Sequence, residues 1–474
     1  MKKFLICVVA VMALASPVFA SLSRIDGLGI DNWMITEDDN LIWMNPARVS
    51  DYTGMIWGEW PPAGPGSAWG GMSKELMLGG LSGALFVGQG YQGVLGGAGR
   101  NAGGSDVAAI VNSPLSTTSM AALNPVGRFD LFIGAPMDTM KIGGMLNVAM
   151  NSQSQENKDR NDPEEPGDIE QEDEFKSSDM EATAGVVLED IGPISQLDAV
   201  ASVDLIKVEN SFSSTTYLVS GGDIIPRITD EWNFELDNGI NFSILGRALI
   251  PKDDYDLIGY LNYEKQDISS KFTRKEDANA DGDYEDVGND INLVQTREDT
   301  ANIIEAGLAM NKMVGLETKL ISAISIRNTK DVRNAKTEQK FSARTGVSEE
   351  YNWERTQTQI PVNIALEHNF SDVVATRLGI EKNIINSQKD TTNDPDYDWD
   401  ADEEKYDLIN EIDDEDLDDN AAGAATVTWG MGIKPLEYLV IDTVVSQQLL
   451  YTGGFLPSGV AGALSTQVTA TIMY

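Results

Sequence analysis

The stretch that decides the fold is Ala463-Leu-Ser-Thr-Gln-Val-Thr-Ala-Thr-Ile-Met-Tyr474. In an extended chain, successive side chains point to opposite faces. Leu464, Thr466, Val468, Ala470, Ile472 and Tyr474 therefore share one face, and Ser465, Gln467, Thr469 and Thr471 the other. A strand that is apolar on one side, polar on the other and ends on an aromatic residue fits the last strand of a membrane barrel, whose outer face meets lipid.

The same period recurs upstream. Ile142, Gly144, Leu146, Val148 and Met150 alternate with Lys141, Gly143, Asn147 and Asn151. Leu197, Ala199, Ala201, Val203 and Leu205 alternate with Asp198, Ser202 and Asp204. Further alternating runs centre on Ile244, Ile324, Ile364 and Val427. Runs of about nine to twelve residues match a tilted membrane-spanning strand. Tight turns near Ala135–Thr139, Asp190–Pro193, Pro251–Asp254, Val314–Gly315, Phe370–Asp372 and Lys434–Pro435 alternate with long links, among them 211–238 and 329–355. Short turns on one side and long loops on the other are the asymmetry of an outer-membrane barrel, with the short turns facing the periplasm. The pattern predicts strands at 127–135, 140–151, 180–189, 196–208, 239–250, 255–267, 301–313, 316–328, 356–369, 372–384, 422–433, 436–449 and 463–474, with Tyr52–Trp60 ahead of them. The expected fold is thus all-β, a transmembrane antiparallel β-barrel over residues 51–474 with fourteen strands, or sixteen if Ser67–Lys74 and Leu81–Gly88 form an added pair. A soluble β-sandwich or solenoid would also alternate, but it explains neither the terminal strand nor the turn order.

The other end agrees with export. Met1-Lys2-Lys3 is basic, Phe4 to Leu14 is apolar, and Ser16-Pro17-Val18-Phe19-Ala20 offers a cleavage site, so residues 1–20 read as a signal peptide. The single cysteine, Cys7, lies inside it, which leaves the mature chain without thiol chemistry. The expected location is the outer membrane of a Gram-negative-type bacterium after Sec export. The expected partners are outer-membrane lipid and the barrel-assembly machinery, whose terminal recognition signal the last strand resembles.

The formal net charge is −41. Three acidic runs hold much of it: 156–174, 276–290 and 390–419. They have little apolar content and read as solvated extracellular loops. Like charge excludes nucleic acid as a partner and makes divalent cations natural ones. The run Asp277-Ala-Asn279-Ala-Asp281-Gly282-Asp283-Tyr-Glu285 places oxygen ligands at alternate positions of a calcium loop, with Gly at the sharp turn. Gly288 stands where such loops carry a bidentate Glu, so a solvated acidic turn without Ca2+ competes with the metal-site reading.

Ahead of the first strand stand Asp38-Asp39-Asn40 and then Asn45-Pro46-Ala47. This stretch resembles the start of FadL-like outer-membrane proteins, including the PorV-like group. The resemblance implies that residues 21–50 fold back into the barrel as a plug, and that small hydrophobic compounds pass or bind. Arg48 departs from the Gly often found there, and the acidic runs are heavier than usual. Read without the resemblance, Asn45-Pro46-Ala47 is simply a turn.

No enzyme motif stands out. His368, the only histidine, falls on the apolar register, away from any base partner. Gly88-Gln-Gly90-Tyr-Gln-Gly93 lacks the helix a dinucleotide site needs. Tyr52, Trp57, Trp60, Tyr255, Tyr260, Trp429, Tyr438 and Tyr474 read either as an aromatic girdle or as part of a ligand path. On the polar register, Asp204, Arg247, Glu305, Arg327, Arg377 and Glu381 read as lumen charges, joined in a structural network or setting ion selectivity. The expected function is a channel or transporter for small hydrophobic compounds. A general porin and a surface-adhesion barrel with cation-binding loops remain the alternatives.

Overall fold

The computed structural model describes residues 22–60, 69–76, 80–88, 127–158, 169–220, 223–277, 291–341, 344–393, 396–400, 405–410, 417–419, 425–436, 438–449 and 464–473. The signal peptide expected over 1–20 lies outside the described residues. The chain opens with two short helices, α1 (Leu22–Leu28) and α2 (Leu41–Met44), and two 3-10 turns, Asn32–Met34 and Pro46–Ser50. Strands follow: β1 (Met55–Trp60), β2 (Trp69–Glu75), β3 (Ser82–Gly88), β4 (Gly127–Met137), β5 (Met140–Lys158), β6 (Ile169–Ile191), β7 (Ile194–Ser220), β8 (Asp223–Pro251) and β9 (Asp256–Glu276). Next come β10 (Ile291–Met313), β11 (Thr318–Phe341), β12 (Arg344–Asn369), β13 (Val374–Asn393), β14 (Asp396–Asp400), β15 (Lys405–Asn410), β16 (Leu417–Asp419), β17 (Ala425–Leu436), β18 (Leu439–Leu449) and β19 (Leu464–Met473).

Seventeen of these strands join one antiparallel sheet, which closes where β1 pairs with β19, from Met55↔Met473 to Trp60↔Val468. Short β16 and the longer β17 both pair with β13, at different heights, so they share one position in the wall and the barrel has sixteen. The added pair is β2 and β3, close to the stretches that the sequence offered for it. Closure leaves no open edge in the membrane, where an unpaired backbone group costs several kcal/mol.

Alternation sorts the side chains. Leu146, Val203, Leu205, Ile244, Leu308, Ile324, Ile364, Leu378 and Trp429 are exposed on the outer face. Their neighbours Asn147, Asp204, Ser325, Asn363, Arg377 and Thr428 are buried on the inner face. An exposed apolar band around a closed barrel is its lipid-facing surface. The tight turns all lie at one end. Asp190, Gly192 and Gly315 there adopt left-handed φ values of 58°, 60° and 92°.

Among the described residues the strands differ in length. β1–β4 run 6 to 11 residues and β17–β19 run 10 to 12, whereas β6–β12 run 21 to 29. A spanning strand needs only about 9–11 residues, so the long strands continue far beyond the membrane. The stretches 211–238 and 329–355, expected as long links, are therefore mostly paired strand: β7 and β8 pair from Val208↔Leu236 to Ser220↔Asp223 with a register shift after Ser214, and β11 with β12 to Phe341↔Arg344 with a shift after Gln339. Beyond the lipid most positions on both faces are polar, so the apolar alternation that marks a strand survives only in short runs such as Trp232, Phe234 and Leu236. The ladder is held instead by cross-strand pairs such as Lys330–Glu354 (2.8 Å) and Arg333–Asp299 (2.7 Å). Parts of the acidic runs also pair: 156–158 with 170–172, and β14 with β15 in a separate hairpin.

One bulge changes which side chains face inward. Ile206 opposes Gly239, but Val208 opposes Leu236, leaving Asp237 as the extra residue on β8. Such an insertion flips the strand's facing. Below it Arg247 and Gly239 are buried; above it Leu236, Phe234 and Trp232 are.

Candidate functional site in the lumen

Residues 22–50 pack against the inner wall almost all the way round. α1 lies against β12, β13 and β17–β19, the turn Asn32–Met34 against β9 and β10, and the turn Pro46–Ser50 against β3–β6. Its apolar side chains meet wall residues: Ile25, Leu28, Ile30, Trp33, Met34, Ile35 and Leu41 join Ile258, Tyr260, Ala309, Ile321, Ala323 and Ala365 in one buried cluster. Trp33 stacks on Tyr260, centroids 4.7 Å apart and planes 9° from parallel. A second cluster sets Ile42 and Val49 on Trp57, Ala84, Phe86, Phe132 and Met145.

Asn45-Pro46-Ala47 sits on two wall glycines. A Cβ at Gly143 would lie 2.6 Å from the Ala47 Cα, and one at Gly185 would strike the Asn45 side chain. Asn45 caps the following turn by accepting from the Ala47 N–H (3.1 Å), and its Nδ2 donates to the Val186 carbonyl (3.0 Å) and Asp198 Oδ1 (2.9 Å). Asp198, fully buried on β7, also receives Arg48 Nε (2.9 Å), Arg48 Nη2 (2.7 Å) and Arg247 Nη1 (3.1 Å). Burial opposes the Arg48 charge, but the Asp198 carboxylate outweighs it and raises the Arg48 pKa. Arg247 further donates to the carbonyls of Trp33 (2.9 Å) and Ile35. One wall carboxylate thus fixes two guanidiniums and an amide.

A second centre lies across the lumen. Arg24 donates to both Glu367 oxygens (3.0 and 2.8 Å) and to Asp38 (2.7 Å). Glu367 also takes Arg377 Nε (2.8 Å), and Arg377 reaches Asp442. Wall amides complete the contact: Asn363 donates to the Gly29 carbonyl (3.0 Å) and Asn311 to that of Met34 (2.7 Å). Asp31 is influenced by Glu305 and Glu381. Burial first, then these two carboxylates, push its pKa up to about 7 against weaker opposing help from Trp33 and Arg327.

The residues singled out in the sequence separate into groups. Asn45, Pro46, Ala47, Arg247, Arg377, Glu305, Arg327 and Glu381 all lie in or around this contact, with Ser325 donating to Glu305 (2.9 Å). Asp204 lies higher on the wall and accepts from Asn241 (3.2 Å). Asp277 is buried at the end of β9, while Asn279, Asp281, Asp283 and Glu285 lie outside the described residues. Among the described residues no group of three or more metal-type side chains could hold a metal ion. Of the aromatics expected in a girdle, Tyr255, Trp429 and Tyr438 are exposed, but Trp57 and Tyr260 face inward, Trp57 donating to Asp39 (2.6 Å). The sequence reading missed Arg24 and the central part of Asp198, because nothing local marks a partner 150 residues away. His368 hydrogen-bonds Thr318 (2.9 Å) at the outer register.

Above the segment, β7–β9 carry an inward apolar patch: Ile206, Val208, Trp232, Phe234, Leu236 and Ile268, with Phe212 and Phe272 against it. Phe212 stacks on Trp232 (5.9 Å, 18°). Without the bulge at Asp237, the aromatic residues of β8 would point outward. Its mark in the sequence is the turn-type run Asp237-Asn238-Gly239 within the strand.

No family model matches the chain, and no curated protein does. Solved structures with overall likeness include the Pseudomonas putida toluene transporter TodX, 12% identical over 93% of this chain and 94% of that one, with a TM-score of 0.37. A Pseudomonas aeruginosa FadL homologue is 11% identical over 96% and 98%, at 0.40. The Ralstonia pickettii toluene transporter TbuX is 12% identical over 96% and 97%, at 0.35. At these values the chain's own side chains are the ground for a functional reading.

Proposed function

We propose that the protein is an outer-membrane channel for small hydrophobic compounds, with residues 22–50 as a plug. The observation that carries this reading is the aromatic and aliphatic patch on the inward face of β7–β9. A lumen wall meant only for water and ions gains nothing from Trp232, Phe234 and Leu236 there. A wall that binds an apolar solute gains roughly 25 cal/mol for each Å² it removes from water. A general porin is disfavoured by the extent of the plug contacts, which engage opposite sides of the wall through one buried and one partly buried ion pair.

Cells bearing the protein should take up a labelled small hydrophobic compound faster than cells bearing a Trp232→Ala, Phe234→Ala variant. The purified protein should show no steady large openings in planar bilayers. Uptake that is equal with and without the protein overturns the proposal. Steady large openings would point to a porin instead.

A further inference from the structure

Directly below the aromatic patch, the inner wall holds oxygen atoms without partners. Asp130, Asn147, Glu181, Asp204 and Asn241 oppose one another in a single line across β4–β8. Asp179 follows Glu181 on the same face, level with Ile206 of the patch. Asp179, Glu181 and Asp204 are all more than nine-tenths buried. Asp179 Oδ1, Glu181 Oε2, Asp204 Oδ1 and the amide Oδ1 of Asn241 are shielded from water and receive no hydrogen bond. The Asn241 amide supplies the independent sign: its nitrogen is spent on Asp204, and its oxygen remains open at the same place. A buried acceptor left open is costly, and more so when charged.

Among the described residues, the nearby arginines do not answer this need. Arg128 bears on these carboxylates, but it is bonded to Asp130 (3.0 Å) and lies over Trp43 (6.0 Å). Arg247 is bound to Asp198. Glu181 directly opposes Asp204 on the ladder and Asp179 lies diagonal to it on the same face, a gathering of carboxylates that either shares a proton or takes a cation. Among the described residues no grouping suits a metal ion. The open oxygens are spread over three strands, which suits an ammonium with several N–H donors better than a bare ion needing close convergence.

We propose that the inner wall of β6–β8 binds the ammonium head of an amphiphile through Asp179, Glu181, Asp204 and Asn241, with its apolar body against Trp232 and Phe234. This deepens the channel reading, on which it rests, by naming the solute class as hydrophobic amines.

The test is equilibrium binding to the full protein in nonionic detergent by calorimetry. The probes are 2-phenylethylamine, 2-phenylethanol and 3-phenylpropanoate, which share an apolar body and differ in the head. The amine should bind at least about tenfold more tightly than the alcohol, and the carboxylate most weakly. The near-isosteric Asp179→Asn, Asp204→Asn variant should bring the amine down to about the level of the alcohol. A heat-modifiable gel band reports folding; if the double variant lacks it, Glu181→Gln replaces it with the same expectation. Equal binding of amine and alcohol, or amine binding unchanged by the variant, overturns the amine assignment while leaving a hydrophobic channel intact. Saturable uptake of calcium that displaces the amine also overturns it, making the site one for inorganic cations. Failure of all three probes to bind overturns both this proposal and the channel reading.

Discussion

Asp198 and Asp204 sit on the same strand, both facing inward, six residues or about 20 Å apart. Asp198 is saturated: Arg48, Arg247 and Asn45 fill its oxygens. Asp204 has one donor, Asn241, an open oxygen, and another carboxylate beside it. Around Asp198 and Glu367 the charges of the lower lumen are compensated and hold a segment of the chain in place. In the upper lumen the chain leaves bonding capacity unfilled beside an apolar patch. A buried ion pair adds little net stability, yet losing one partner is costly because a charge is left stranded. The lower region therefore resists change, and the upper region has capacity to receive a solute.

The largest break in this contrast is Asp198→Ala. It strands two buried guanidiniums and should cost about 3–5 kcal/mol of docking stability. Limited proteolysis should then cut within residues 22–50, and planar bilayers should show openings absent from the wild type. Protection equal to wild type would mean that the apolar clusters alone hold the segment.

Gly185→Ala comes next. Its Cβ would meet Asn45, and forcing the fit should cost roughly 1–3 kcal/mol. Proteolysis should rise in the same direction as for Asp198→Ala, and the two effects should be less than additive, since both release Asn45.

The third test uses pH. The Asp31 pKa of about 7 in the folded chain lies above the ordinary value of 3.8. Between these values the docked state holds the proton and the undocked state does not. Docking is therefore favoured at pH 5 and weakens as pH rises toward and through 7. Protection factors of the amides of residues 22–50, taken after correction for the intrinsic pH dependence of exchange, should be larger at pH 5 than at pH 8, and Asp31→Asn should flatten that dependence. A difference that persists in Asp31→Asn would assign it to other groups.

The smallest effect belongs to the outer surface of the tall wall. Lys176 and Glu174 pair at 2.6 Å but are about half exposed. Glu174→Gln should shift stability by less than about 0.5 kcal/mol, read as the temperature at which the folded gel band disappears. A larger loss would show that the polar ladder above the membrane is as demanding as the packed lumen.

The sequence by itself determined the barrel. Period-two alternation requires one face for lipid and one for the interior, and the order of short turns and long links sets which end is which. It also placed Arg247, Glu305, Arg327, Arg377 and Glu381 on the inner register, since facing depends only on parity along a strand. Tertiary structure decided the rest. Above the lipid most strand positions are polar on both faces, and the short alternation Trp232, Phe234, Leu236 is out of parity with the spanning run that starts at Gly239. A single extra residue at Asp237 turns Trp232 and Phe234 inward, and parity counted through it gives the opposite answer. The partners of Asp198 and Glu367 lie 150 and 343 residues away in the chain. Only closure of the wall around residues 22–50 brings them together, because a buried charge is matched by proximity in space and leaves no spacing in sequence to read.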